Sequence, residues 1–374
     1  VYDGDLILGK GYTQPDKAGS LGAELVMLYQ KTGEARYLDA ALNIANTLAR
    51  HVQPGDHDHS PLPFKVHVQT GEVGYLKNEK GEVEARSVYT SNWTGALRLF
   101  RELTALGKGD KVAFEKACQT LSAWLQTYPL KNNRWGPFFE DISMWSDTQI
   151  NAGTLAWYVL EHPDWVPEGP ARVRGIQDWT LNTLGINHWQ PYGLRVIGEQ
   201  SVYKMQGQSH TSRYAAIELR YAELTGDTSR KAEAIRQLNW ATYTVDHDGK
   251  NRWPNWDTYE IWWTDGYGDY IRHYLRAMAA APELAPSGQN HLLRTTSVVQ
   301  HIAYEPALIR YTTFDGAATD LFRLAAKPQS VRLGNKSLSE RTDGTGEGWL
   351  WKALDRGGVL TVRRMGGREV VVQW

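Results

Sequence analysis

Apolar residues recur at helical spacing over most of the chain. Segments such as ARYLDAALNIANTLA (35–49), VAFEKACQTLSAWL (112–125) and KAEAIRQLNWATY (231–243) carry their large apolar side chains three and four residues apart, which predicts amphipathic helices. Each follows a turn containing Gly33, Gly107 or Gly226, where an earlier helical pattern stops. Glycine suits the left-handed residue after a helix end, and connections this short force the two helices antiparallel. Each unit therefore reads as a helical hairpin. First helices of successive hairpins are expected near Ala18, Asn92, Asp147, His210 and Asp265, joined by long loops rich in Gly, Pro and aromatic residues.

The pattern changes after APELAPSGQN. Short alternating runs follow, among them SVVQHIAYE, ALIRYTTFD, TDLFRLAA, SVRLGN, GWLWKAL, VLTVRRM and REVVVQW, with Gly-Gly turns at Gly357-Gly358 and Gly366-Gly367. This predicts an antiparallel β-sandwich over 294–374 behind a helical domain over 1–293, the boundary falling near Leu293.

Charge adds an exclusion. Lys plus Arg number 41 and Asp plus Glu 42, so no broad basic surface is available for nucleic acid or anionic lipid. No run approaches the roughly 20 apolar residues of a membrane span. The single cysteine, Cys118, sits among helix formers and reads as core filler. VYDGDLIL is not a signal peptide; a start at Val1 fits removal of an export signal and a trimmed chain equally, and a secreted or periplasmic protein is the expectation. Aromatic usage is biased toward rings with a polar handle: 16 Trp and 19 Tyr against 7 Phe, a bias found in sugar-binding clefts and in large helical cores alike.

The turn-plus-helix phrases TGEARYLDAALNIA (32–45) and TGDTSRKAEAIRQLNWA (225–241) resemble those of the (α/α) toroid enzymes. That superfamily of six-hairpin glycosidases includes the unsaturated glucuronyl hydrolases and many polysaccharide lyases. The resemblance implies a mainly α fold, an (α/α) barrel or toroid of five to six hairpins, with inner helices pointing one set of ends into a shared cup. The chain carries about nine or ten helical patterns, fewer than a closed six-hairpin ring needs, so an open or five-fold ring is expected. The resemblance also implies a poly- or oligosaccharide partner.

Polar pairs at i and i+4 stand at the expected inner-helix starts and share a face. They are Asp147 with Asn151, His210 with Tyr214 and Arg213 beside them, and Asp265 with Asp269; Asn92, followed by Trp93, opens a fourth. Such residue types also cap helices, which accounts for the first member of a pair but not for the second. Hydrolysis of a glycosidic bond needs one protonated carboxyl and one ionised. Asp147 and Asp265 are the candidate facing carboxylates, with Asp141 and Glu260 in reserve; Trp145, Trp256, Trp262 and Trp263 are candidate stacking surfaces. The alternative is β-elimination at a uronate, for which His210, Tyr214 and Arg213 supply proton transfer and charge, and Asn151 or Asn92 would hold the carboxylate. Similar toroidal lyases use Asn, His, Tyr and Arg. A sugar epimerase and a non-catalytic glycan-binding protein are the remaining readings. Asp56-His57-Asp58-His59 places adjacent residues on a loop, a poor metal clip, and no metal or other cofactor is expected. The sequence leaves the oligomeric state open.

Overall fold

The computed structural model describes residues 9–77, 83–84, 89–91, 93–137, 145–202, 204–243, 245 and 267–374. Within them the chain forms two compact units, one built from residues up to Val26 and from Ala35–Ile271, the other from Met27–Glu34 and Arg272–Trp374.

The helices, in order, are α1 (Pro15–Thr32), α2 (Ala35–His51), α3 (Thr94–Ala105), α4 (Lys111–Thr127), the single turn α5 (Pro129–Asn132), α6 (Gln149–Glu161), α7 (Gly169–Leu184), α8 (Gln208–Thr225), α9 (Lys231–Thr242) and α10 (Tyr267–Ala280). The three expected glycine stops are present. Gly33, Gly107 and Gly226 all have positive φ, at 75°, 66° and 79°, a conformation that costs a residue with a Cβ but not glycine. Asp110 then caps α4 by accepting from the Ala113 N–H at 3.0 Å. The hairpins α1/α2, α3/α4, α6/α7 and α8/α9 follow.

Burial separates inner from outer helices. α2 buries Leu38, Ala41, Ala45 and Leu48, a single stripe at spacings of three and four, so its other faces meet solvent. α8 is buried almost all round from Gln208 to Leu219, which an outer helix is not. The inner helices lie side by side and point the same way. A Cβ added at Gly19 of α1 would meet the Ala96 backbone of α3 at 2.5 Å, and one at Gly95 would meet the Ser20 backbone at 2.6 Å, so the two helices cross in backbone contact near their starts. Arg101 of α3 donates to the Tyr158 hydroxyl of α6 at 3.1 Å, and Gly153 of α6 packs on the Arg213 stem of α8. In each contact, residues at similar distances from the helix start meet, which brings the N-terminal ends of α1, α3, α6 and α8 to one end of the unit. Cys118 of α4 is partly buried against the Leu97 carbonyl, and burial pushes its thiol up to about 11.

Short strands tie loops at that end. β1 (Tyr12–Thr13), β2 (Lys65–His67) and β3 (Val73–Gly74) form one small sheet, and β4 (Leu76–Lys77) pairs with β5 (Val83–Glu84). β6 (Gly185–Ile186) pairs with β7 (Val196–Ile197) ahead of α8.

The second unit contains β8 (His291–Thr295), β9 (Val299–Tyr304), β10 (Leu308–Thr313), β11 (Ala317–Leu324), β12 (Ser330–Leu333), β13 (Lys336–Leu338), β14 (Gly348–Ala353), β15 (Gly358–Met365) and β16 (Glu369–Gln373). A five-stranded sheet, β13-β12-β16-β10-β9, faces a four-stranded one, β14-β15-β11-β8, and every pairing is antiparallel. Alternate residues of both sheets, including Ile309, Tyr311, Phe322, Leu324, Val331, Leu360, Val362, Val370 and Val372, fill one core, as the period-two pattern requires. This is the β-sandwich the sequence predicted. Residues 27–34 belong with it through Lys31, whose ammonium donates to the Val299 and Gln300 carbonyls at 3.1 Å each.

Candidate active site

The N-terminal ends of the inner helices gather buried polar side chains at one end of the helical unit. Gln14 and Asp16 stand at α1, Ser91 and Thr94 at α3, Thr148, Gln149 and Asn151 at α6, and Gln208, Ser209, His210 and Arg213 at α8. Helix starts also carry a positive partial charge from their free N–H groups, so this end is electrostatically suited to electron-rich ligand groups.

Asp147 lies two residues before α6 and is not its cap; Thr148 occupies the N-cap position. Its Oδ1 accepts from the Trp135 N–H at 2.6 Å and the Gly136 N–H at 3.0 Å, while Oδ2 accepts from the Trp145 indole at 3.1 Å. Its own N–H donates to Ser201 Oγ at 3.0 Å, and its carbonyl accepts from the Ser201 N–H at 2.9 Å. Asn151 grips the same loop from the other side, donating to the Trp135 and Gly136 carbonyls at 3.0 and 3.2 Å and to Thr90 Oγ1 at 3.3 Å. The expected Asp147–Asn151 pair thus converges, but on a loop of the protein: Asp147 serves as a clamp with both carboxylate oxygens engaged. Asp147→Ala is expected to lower the unfolding free energy by about 2–6 kcal/mol, since two buried backbone N–H groups lose their acceptor at about 1–3 kcal/mol each. A urea midpoint shifted by less than a tenth would show that the clamp carries no weight.

His210 and Arg213 are the buried ionisable pair. Arg213 Nη1 donates to Gln149 Oε1 at 2.6 Å and stands 3.4 Å from His210 Nδ1. A guanidinium can only donate, so in this contact Nδ1 is the acceptor. Tyr214 does not join them. Its hydroxyl donates to Glu218 Oε1 at 2.9 Å and receives Arg230 at 3.3 Å, within an ion network that Arg174 closes at 3.1 Å from Glu218. Burial and then the Glu218 carboxylate raise this phenol well above its ordinary value, so it stays protonated. His210 and Tyr214, four residues apart, keep to one side of α8, but the consecutive residues Arg213 and Tyr214 diverge by about 100°, and the Tyr214 hydroxyl is taken by Glu218 one turn further on.

Among the tryptophans, burial decides. Trp93 is only 1% exposed, donates to the Thr90 carbonyl at 2.9 Å and packs on Trp124, so it belongs to the core and offers no stacking face. Trp135, ten residues before Trp145, is wholly buried too. Trp145 is 42% exposed, with the Arg134 guanidinium 4.0 Å from its ring centre. Asn92, Asp141, Glu260, Asp265, Trp256, Trp262 and Trp263 lie outside the described residues. Asp269 falls in α10, with its side chain outside them. The 56–59 loop pairs internally, His59 with Asp56 at 2.8 Å and His57 with Asp58 at 2.9 Å.

The sequence reading passed over Gln149, Gln208, Thr148 and Trp189. A signal was present: DTQ at 147–149 and QGQ at 206–208 stand at corresponding places before two inner helices.

No family model matches the chain, and no curated protein matches it. Solved structures do. A cellobiose 2-epimerase from Spirochaeta thermophila aligns at 13% identity over 73% of this chain and 71% of its own, with a TM-score of 0.53. The helical unit is an (α/α) toroid. A sugar epimerase from a ruminal bacterium aligns with the toroid at 12% identity over 74% of this chain and 75% of its own, TM-score 0.50. A family 76 α-mannanase from Bacteroides thetaiotaomicron aligns at 12% identity over 71% and 69%, TM-score 0.47. The toroid resemblance carried by the turn-plus-helix phrases is thereby confirmed at the level of fold.

Proposed function

We propose that the protein is a carbohydrate-active enzyme that cleaves glycosidic bonds at the N-terminal ends of α6 and α8, with residues 1–293 as its catalytic domain and export as its destination. The observation that carries this reading is the concentration of buried polar side chains there, in a fold shared with a cellobiose 2-epimerase and a second sugar epimerase. Acid/base hydrolysis needs two carboxyl groups of opposite protonation state. Asp147 has both oxygens engaged, so the acid and base of a hydrolase are proposed from Asp141, Glu260 and Asp265.

The His210–Arg213–Gln149 chain favours β-elimination as a second reading. Arg213 would move onto a uronate carboxylate and stabilise the charge that develops beside it. That movement would free His210 Nδ1 to take the proton from the adjacent carbon, whose electron pair forms the C=C bond as the glycosidic C–O bond breaks and the departing oxygen takes a proton from water. The purified protein is to be incubated with neutral and uronate-containing glycans, recording reducing ends and unsaturated-uronate absorbance in parallel. New reducing ends alone mean hydrolysis, and new absorbance means elimination. A panel left intact under both readouts removes glycosidic cleavage.

A further inference from the structure

The starts of α6 and α8 repeat one arrangement. Ahead of α6 the Trp145 indole donates to Asp147 Oδ2 at 3.1 Å, and ahead of α8 the Trp189 indole donates to Gln206 Oε1, also at 3.1 Å. Each acceptor stands two residues before the first helical residue, and that residue is a glutamine in both cases, Gln149 and Gln208. Both glutamines are buried, and both keep amide atoms without a hydrogen-bond partner among the described residues: Nε2 of Gln149, and Oε1 with Nε2 of Gln208. Burial of an unpaired amide is unfavourable, and two such cases at the starts of two helices that pack together call for a ligand that supplies donors and acceptors.

The rings complement the amides. An indole tied through its N–H keeps a fixed orientation, and Trp145 stays partly exposed with Arg134 on its ring. Trp189 rests on Trp240 with centroids 5.9 Å apart and has Tyr192, 70% exposed, at the same distance. The segment between β7 and α8 holds both platforms in one frame: Gln149 N donates to the Glu199 carbonyl at 2.9 Å, Ser201 bonds Asp147, and Glu199 N donates to the Met205 carbonyl at 3.0 Å.

We propose that Trp145 and Trp189 are two stacking subsites for one oligosaccharide laid across the starts of α6 and α8, with Gln149 and Gln208 taking its hydroxyl groups. Sugars suit both parts, since a pyranose presents apolar C–H faces to a ring and hydroxyls to an amide at its edge. Packed helices stand about 8–10 Å apart, a separation wider than one sugar ring, so the occupant is a chain of linked sugars. The inference rests on the reading of this end as a sugar site and extends it to substrate length.

Calorimetric titration with cellohexaose, xylohexaose, mannohexaose and hexagalacturonate, each beside its disaccharide, tests it. At least one hexaose is expected to bind about tenfold or more tightly than its disaccharide, and Trp145→Ala and Trp189→Ala are each expected to weaken that binding by about tenfold. Trp145→Phe and Trp189→Phe should recover most of the loss, and Tyr192→Ala, at an exposed ring, replaces Trp189→Ala if that variant misfolds. Absence of hexaose binding, equal affinity for both lengths, or alanine variants within twofold of the parent would overturn the proposal. Binding is read without turnover, so a protein that holds the hexaose on these rings yet cleaves nothing would sink the cleavage reading and leave this one standing.

Discussion

Arg364→Met is expected to destabilise the β-sandwich by about 3–5 kcal/mol, the usual cost of leaving one partner of a buried ion pair alone. Arg364 and Asp320 both have no exposed side-chain surface, and Nε donates to Asp320 Oδ2 at 2.9 Å. Asp320 also accepts from the Tyr311 hydroxyl at 2.8 Å and from Thr295 at 2.6 Å, while Arg364 Nη1 reaches the carbonyls of Asp315, Gly316 and Gly367. The network therefore joins β8, β10, β11 and β15 across both sheets. Removing the guanidinium strands a carboxylate in the core and frees three carbonyls at two turns. Urea unfolding of the full chain, followed by near-ultraviolet circular dichroism, should show the sandwich transition moved to lower denaturant. Loss of under 1 kcal/mol would mean that water replaces the guanidinium. The network also sets a pH limit. Burial, and next the Asp320 carboxylate, raise Tyr311 well above the ordinary phenol value of 10.0, so its contribution is complete below pH 10.0 and is lost as pH rises beyond that value.

The second large effect concerns the toroid. On the β-elimination reading, His210→Gln is expected to lower kcat/KM for a uronate-containing glycan by about 10²–10⁴-fold, the range for loss of a proton-transfer group. Arg213→Lys should lower it too, because an ammonium cannot span Gln149 and a substrate carboxylate as a planar guanidinium does. A fall in kcat without loss of hexaose binding separates chemistry from stacking. If His210→Gln retains activity within threefold of the parent while elimination products still form, the His210 assignment is wrong.

The two assignments differ in how they were legible. The Asp147 and Asn151 positions, four apart before and within a helix, were readable as a pair; their target was not, because a loop more than ten residues earlier in the chain comes back to meet them. Trp93 and Trp145 look alike in sequence, each beside a polar residue near a helix start. Packing against Trp124 buries the first, and the Arg134 stack leaves the second partly open. Burial is a property of neighbours distant in sequence.

The hairpins are legible in the chain alone, because helix periodicity and glycine stops at Gly33, Gly107 and Gly226 are local, acting within a turn or two. Most of the sandwich strands are legible for the same reason, since period-two alternation needs only the strand itself. The short strands β8 and β13 have weak alternation and are defined by the partners they pair with. Tertiary structure alone decided which helices are inner, which carboxylate is committed to the protein, and that Tyr214 turns away from His210 toward Glu218. Those outcomes depend on which surfaces meet across long loops, and no periodicity along the chain encodes that.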